Sequence, residues 1–224
     1  MSFKERVIKP EEEIILKRAA RELSAGMLVN LGIGLPTHLP RFLPPDLDVS
    51  FHAENGFVGM GEQTPGGTPD DNIIDAGGRS CQVVSGAAFF DSLLSFTIVR
   101  GGNLDMAVLG AFEVGYNGDL ANWKIPGKLT PGMGGGMELA QKANHVLVIS
   151  RHSDKKGRSK LVERCSLPLT APGCVGTLVT ERALFRRIDG AMTLCSLAPG
   201  DTVEAVQESL PSPVPVADEM EAWP

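Results

Sequence analysis

The residues of greatest chemical promise stand together in the run His52-Ala53-Glu54-Asn55-Gly56. A glutamate is ordinarily a solvated surface residue. Glu54, however, follows Asp48-Val49-Ser50-Phe51-His52, which alternates polar and apolar residues as a strand does, and it precedes Asn-Gly, a dipeptide that turns the chain sharply. It is therefore expected at the C-terminal end of a strand, where open α/β sheets place their ligands. The local pattern does not say which reaction such a carboxylate performs.

Other groups compete for attention. Gly32-Ile33-Gly34 follows a strand-like run, but the third glycine of a dinucleotide loop would fall at Thr37, so that reading fails on spacing. What remains is a turn that either lets backbone amides approach a ligand at a helix start or serves structure alone. His38, His52, His145 and His152 are scattered and form no metal-ligand spacing. Ser80-Cys81 and Ser85-Gly86-Ala87-Ala88 lack the elbow of a serine nucleophile and read as packing residues. Cys81, Cys165, Cys174 and Cys195 are widely separated and are expected as buried free thiols. Arg151, Lys155, Lys156, Arg158 and Lys160 flank the turn Asp154-Lys155-Lys156-Gly157. A solvated hairpin tip is the simplest account, with contact to ligand phosphates or an acidic partner as the alternative.

The elements that must position Glu54 begin with a helix. Pro10 suits its first position, and Glu11, Glu12 and Glu13 complement the positive helix end. Lys17, Arg18 and Arg21 stand toward the negative end, and Gly26 is expected to close it. Ile15, Leu16, Ala19, Ala20 and Leu23 form its core stripe. Met27 to Leu31 reads as a buried strand, with a glycine turn and a second helical segment after it. From Gly56 to Gly78 the chain is rich in Gly, Pro, Thr and Asp, and is expected to be a long functional loop or lid, or else a surface excursion. Leu104 to Leu109, His145 to Ser150 and Lys160 to Arg164 are further strands, and Met137 to Ala143 a short helix. The fold expected is α/β, a single open mixed or parallel sheet flanked by helices. One domain spans 1–224, with its core over 10–205 and an extended proline-rich tail over 206–224 that ends disordered or packs on a neighbour.

Composition sets limits on function. The 224 residues are 42% hydrophobic and carry 21 Lys plus Arg against 27 Asp plus Glu, a net charge of −6. Arg is not interleaved with aromatics, so nucleic acid is not an expected partner. No apolar run approaches the ~20 residues of a membrane span, and Met1 to Lys17 is too charged for a signal peptide, so a cytoplasmic protein is expected.

Several motifs in one order resemble the B subunit of the 3-oxoacid coenzyme A transferases. They are Asn30-Leu31-Gly32-Ile33-Gly34-Leu35-Pro36-Thr37, Glu54-Asn55-Gly56, Gly86-Ala87-Ala88-Phe89-Phe90-Asp91, Ile98-Val99-Arg100-Gly101-Gly102, Gly118-Asp119-Leu120-Ala121-Asn122-Trp123, Ile125-Pro126-Gly127-Lys128 and Pro131-Gly132-Met133-Gly134-Gly135. The resemblance implies that Glu54 is a nucleophile that carries coenzyme A as a glutamyl thioester on its way to a second carboxylic acid. It implies that Asn30 lies beside the nucleophile, that the Gly135 amide serves as an oxyanion donor, and that Gly32, Gly34 and Asn55 belong to the substrate and CoA site. No metal or permanently bound cofactor is expected, coenzyme A being a substrate. The other half of the site is expected from an A subunit, in an A2B2 assembly. Two positions depart from the family: Ala53 stands where many relatives have Ser, and Gly78 where some have Lys, which leaves the acids handled undecided. A CoA thioester hydrolase or ring-cleaving enzyme of the same fold, and a non-catalytic module that senses CoA or a sugar phosphate, remain as alternatives.

Overall fold

The computed structural model describes residues 7–61, 72–127 and 133–223. Helix α1 spans Pro10–Ala20, with Pro10 at its first position and the Glu12 carboxylate accepting from the Lys9 amide at 3.2 Å. The helix ends at Ala20. Gly26, with φ +83°, instead forms the turn into β1, where its amide meets the Asp48 carbonyl at 2.7 Å. The expected stripe of Ile15, Leu16, Ala19, Ala20 and Leu23 is buried throughout.

Five strands pair in parallel in the order β2 (Ser50–Ala53), β1 (Leu28–Leu31), β5 (Met106–Leu109), β8 (His145–Ile149) and β10 (Thr177–Val179). Antiparallel strands extend both sides. β3 (Phe57–Met60) and β4 (Val83–Phe89) follow β2, and β11 (Ala183–Ile188) and β12 (Ala191–Leu197) follow β10, giving nine strands among the described residues. A small sheet of β7 (Leu120–Ala121), β6 (Glu113–Gly115) and β9 (Leu161–Val162) stands beside it.

Parallel strands covered on both faces should alternate between two cores. They do. Val29, Met106, Val108, Leu147 and Ile149 pack with α1, while Ala107, Leu109, Val146 and Val148 pack on the opposite face with Val99 of α2 (Ser92–Arg100) and Leu139 and Ala140 of α3 (Gly136–Lys142). This is the expected mixed α/β sheet flanked by helices. No helix among the described residues is long and apolar enough to cross a membrane.

Three sequence readings need correction. The loop expected from Gly56 begins later, because β3 pairs antiparallel with β2 directly after the turn at Glu54-Asn55-Gly56. Residues 62–71 of the expected lid lie outside the described residues. Ser85, Gly86 and Ala88 are exposed rather than packed, since β4 is the last strand of the sheet. Finally, the chain after α4 (Val203–Glu208) does not stand free. It lies along this chain's own β12, with the Leu194 amide donating to the Pro215 carbonyl at 2.8 Å and the Ala217 amide to the Leu194 carbonyl at 2.9 Å.

Among the remaining readings, the basic run does turn at Asp154 to Gly157, where Arg158 pairs with Asp154 at 2.6 Å on an exposed tip. Lys160 departs from it: its ammonium turns inward onto the Ser150 hydroxyl at 2.8 Å and the Ala111 carbonyl at 3.1 Å. All four cysteines are free thiols; Cys81 and Cys195 are buried, while Cys165 and Cys174 are half-buried.

Candidate active site

Glu54 is the first residue after β2, at the carboxyl end of the parallel strands and half-buried. Its environment follows from the strand register. Asn30 on β1 is paired with His52 on β2, so the two side chains stand abreast on one face, and Glu54, two residues beyond His52, returns to it. The Asn30 amide Nδ2 donates to Glu54 Oε2 at 2.9 Å and to the His52 carbonyl at 3.2 Å. Asn30 is fully buried, so its rotamer is fixed by packing on both sides.

Helix α2 closes this face from above. Asp91 caps it, its carboxylate accepting from the Leu94 amide at 2.8 Å. Ser95, buried one turn later, brings its hydroxyl to 2.9 Å from His52 Nε2. The His52 ring also stacks on Phe90, with centroids 6.3 Å apart. Removed from water, it is held in its neutral form, burial pushing its pKa down to about 4. Sequence reasoning offers His52 only as a failed metal ligand. The signal that could have found it is its two-residue spacing from Glu54, which places both on one side of the sheet.

The turn carrying Glu54 needs glycine at position 56. There φ is +137°, and a Cβ would fall 2.3 Å from the Phe90 carbonyl oxygen. Gly135, which caps α3, lies on the other side of Glu54: a Cβ there would stand 3.6 Å from Glu54 Cγ and only 2.7 Å from the Phe96 ring of α2. Glycine alone allows α2, α3 and the carboxylate to meet so closely.

The remaining predicted residues divide by role. Gly32 continues β1 against β5, its amide on the Val108 carbonyl at 2.8 Å, and a Cβ there would crowd that oxygen at 3.1 Å. Gly34, with φ +100°, starts the 3-10 helix Leu35–Phe42, and Thr37 bonds back to its carbonyl at 2.8 Å. Both glycines lie at the carboxyl end of β1, on the same edge of the sheet as Glu54. Asn55 is turned outward and its amide is committed to the Ile74 carbonyl at 2.8 Å, tying the Glu54 turn to the segment after residue 71. Ala53 packs with Phe57 and Cys81, away from Asn30, so the departure at 53 removes no polar contact from the carboxylate's own face. Among the described residues no group of His, Cys, Asp and Glu is arranged to hold a metal ion.

Comparison with known proteins places the chain in a family. The coenzyme A transferase family model matches residues 12–209. The beta subunit of a probable coenzyme A transferase of Bacillus subtilis (strain 168) is 50% identical over 196 residues, covering 88% of this chain and 90% of the relative. The B subunit of a probable succinyl-CoA:3-ketoacid coenzyme A transferase of the same organism is 45% identical, covering 90% of this chain and 93% of its own length. An acyl-CoA transferase apoenzyme of Escherichia coli O157:H7 superposes with a TM-score of 0.75 at 18% identity, over 99% of this chain and 44% of that one, which bears on the fold alone. The chain therefore belongs to the coenzyme A transferase family, as a homologue of its beta, or B, subunits.

Proposed function

We propose that this protein transfers coenzyme A through a covalent thioester on Glu54, and that its acceptor is a 3-oxo carboxylic acid. The observation that carries the reading is the Asn30 amide on Glu54 Oε2 at the carboxyl end of the parallel sheet. A carboxylate is ionised at neutral pH and forms reversible acyl intermediates without dissipating the thioester free energy.

In this reading Glu54 attacks the thioester carbonyl of an acyl-CoA, the C–S bond breaks, and a mixed anhydride and CoA thiolate result. The thiolate then attacks the glutamyl carbonyl, expels the donor carboxylate and leaves a glutamyl-CoA thioester. An acceptor carboxylate reverses both steps, leaving as its own CoA ester and restoring Glu54. Each step passes through a tetrahedral oxyanion, for which Asn30 and the Gly135 amide are the assigned donors, and loss of one such donor costs about 10²–10³ in rate in other acyl-transfer enzymes. The 3-oxo acid assignment is supported by the relative named for succinyl-CoA and a 3-ketoacid.

The second half of the site is assigned to an A subunit, as the subunit names of the relatives support. Its place is the outer face of β4 and α2, where Val84, Phe89, Leu93 and Leu94 are exposed beside the Glu54 turn. Mass analysis of the assembled enzyme after incubation with an acyl-CoA tests the mechanism: a CoA adduct is expected on Glu54. Turnover at an equal rate without any carboxylic acid acceptor would instead establish a hydrolase.

A further inference from the structure

The hydrogen bond to Glu54 depends on which end of the Asn30 amide faces it. Nδ2 carries two hydrogens and has three acceptors in reach: Glu54 Oε2 at 2.9 Å, the His52 carbonyl at 3.2 Å and His52 Nδ1 at 3.2 Å. Oδ1 is buried without a polar partner among the described residues. Turned over, the amide would set Oδ1 lone pairs against the carboxylate and the same carbonyl. The nucleophile would then face repulsion in place of a donor.

Glu54 Oε2 and the His52 carbonyl favour the first orientation, and His52 Nδ1 either reinforces or opposes it. A lone pair there accepts from Nδ2, whereas a proton there would seek Oδ1 and favour the reversed amide. With Nδ1 facing the Asn30 donor, the proton of the neutral ring sits on Nε2, where Ser95 Oγ at 2.9 Å can accept it. The ring is 1% exposed and stacked on Phe90, so solvent does not compete for either nitrogen.

We propose that His52 is a positioning residue for Glu54: held by Ser95 as its Nε2–H tautomer, it presents an Nδ1 lone pair that, with the His52 carbonyl, locks the Asn30 amide with Nδ2 toward the nucleophile. Low basicity of the buried ring keeps that lone pair free at neutral pH. Ser95, Phe90 and Asn30 bring no charge to the ring, and Glu54, reached through Asn30, is the charged member of this hydrogen-bonded set. The inference rests on Glu54 as nucleophile for its kinetic consequence, but the tautomer is independent of it.

The test uses the assembled enzyme with His52→Leu, His52→Gln and Ser95→Ala, reading steady-state kinetics and the rate of CoA adduct formation on Glu54. His52→Leu is expected to lower kcat and adduct formation by up to about 10²-fold with KM unchanged, as misplacement of a reacting group does. His52→Gln, whose side-chain carbonyl can accept from Asn30 while its amide reaches Ser95, is expected to recover most of that loss. Ser95→Ala should fall between them. Selective ¹⁵N labelling of histidine in the parent should show His52 unprotonated at Nδ1 and protonated at Nε2.

A protonated Nδ1, a parent rate in His52→Leu, or a Gln variant as slow as the Leu variant overturns the proposal. If His52→Leu does not fold, an unaltered adduct rate in Ser95→Ala overturns it in the same way. A parent enzyme that forms no Glu54 adduct would sink the nucleophile reading, and the nitrogen spectrum would still decide the tautomer.

Discussion

The nine-stranded sheet carries an antiparallel hairpin at each side, and the two are finished in opposite ways. β12 is buried along most of its length, because the chain returns over it and bonds to Leu194 and Cys195 through Pro215, Ala217 and Glu221. β4 is exposed along most of its length and carries no charge, in the sequence Val-Val-Ser-Gly-Ala-Ala-Phe. Edge strands of soluble proteins are normally blunted by lysine, proline or a covering segment. One edge of this sheet is closed by its own chain; the other, among the described residues, is apolar and uncovered beside the nucleophile. That is the edge to which the proposed function assigns the A subunit. The same contrast separates the helices: α1 buries its apolar stripe, whereas α2 turns Leu93, 70% exposed, outward.

The largest expected effect tests whether chemistry belongs to the open side. Glu54→Gln should abolish the CoA adduct and lower turnover by about 10⁶-fold, the size of nucleophile loss in another acyl-transfer enzyme. Assembly with the A subunit should be retained. A Gln variant that keeps substantial turnover would detach the function from this carboxylate. Next comes the open face itself. Leu93→Asp touches no core, so thermal unfolding of the isolated chain should move by no more than about 0.5 kcal/mol. Native mass spectrometry should nevertheless show loss of the hetero-oligomer, with activity falling in parallel. An intact complex would place the A subunit elsewhere.

At the closed edge the expected effects are on stability alone. Arg186 on β11 bonds both Glu22, after α1, and Glu221, in the returning tail, and Arg18 joins both carboxylates from the helix. Arg186→Ala leaves Glu22 with one partner at a site where its side chain is only 10% exposed. The cost should be about 2 kcal/mol, between the values for exposed and buried pairs. Activity per folded site should not change. A comparable loss of turnover would show that the two edges are coupled.

The contrast between the edges also explains what the sequence made legible. α1 announces itself through Pro10, the three glutamates and an apolar stripe, because its packing partners lie within the chain and its period is complete. The buried parallel strands are legible for the same reason. β3 is hidden by glycines at 56 and 59, which read as loop but exist for close approach; a Cβ on Gly59 would stand 2.9 Å from Ala87. β4 and α2 lack a readable period because part of their apolar surface faces outward, so apolar residues fall on both faces. At the site, Glu54 is visible from its strand and turn. Asn30 is named from family resemblance alone, since the pairing of Asn30 with His52 joins residues far apart in sequence and leaves no local signature.

The smallest effect sharpens the closed edge through pH. Burial works against ionisation of Glu22, and hydrogen bonds from Arg186 and Arg18 overcome it, leaving its pKa below the ordinary 4.5. A carboxylate with a depressed folded pKa contributes stability that is fully present above its unfolded value and lost as pH falls through the folded one. Half-buried His145 and buried His152, whose pKa values are lowered by desolvation, also withdraw stability on acidification, and they do so from their ordinary 6.5 downward. The Glu22 contribution is therefore isolated by difference. Glu22→Gln should sit below the parent in unfolding free energy by a constant amount from about pH 8 to about pH 5, and the gap should close below about pH 4.5. A gap that is unchanged across that lower range would mean that Glu22 acts at the closed edge by shape and neutral hydrogen bonding, and that its charge contributes nothing to holding the tail on β12.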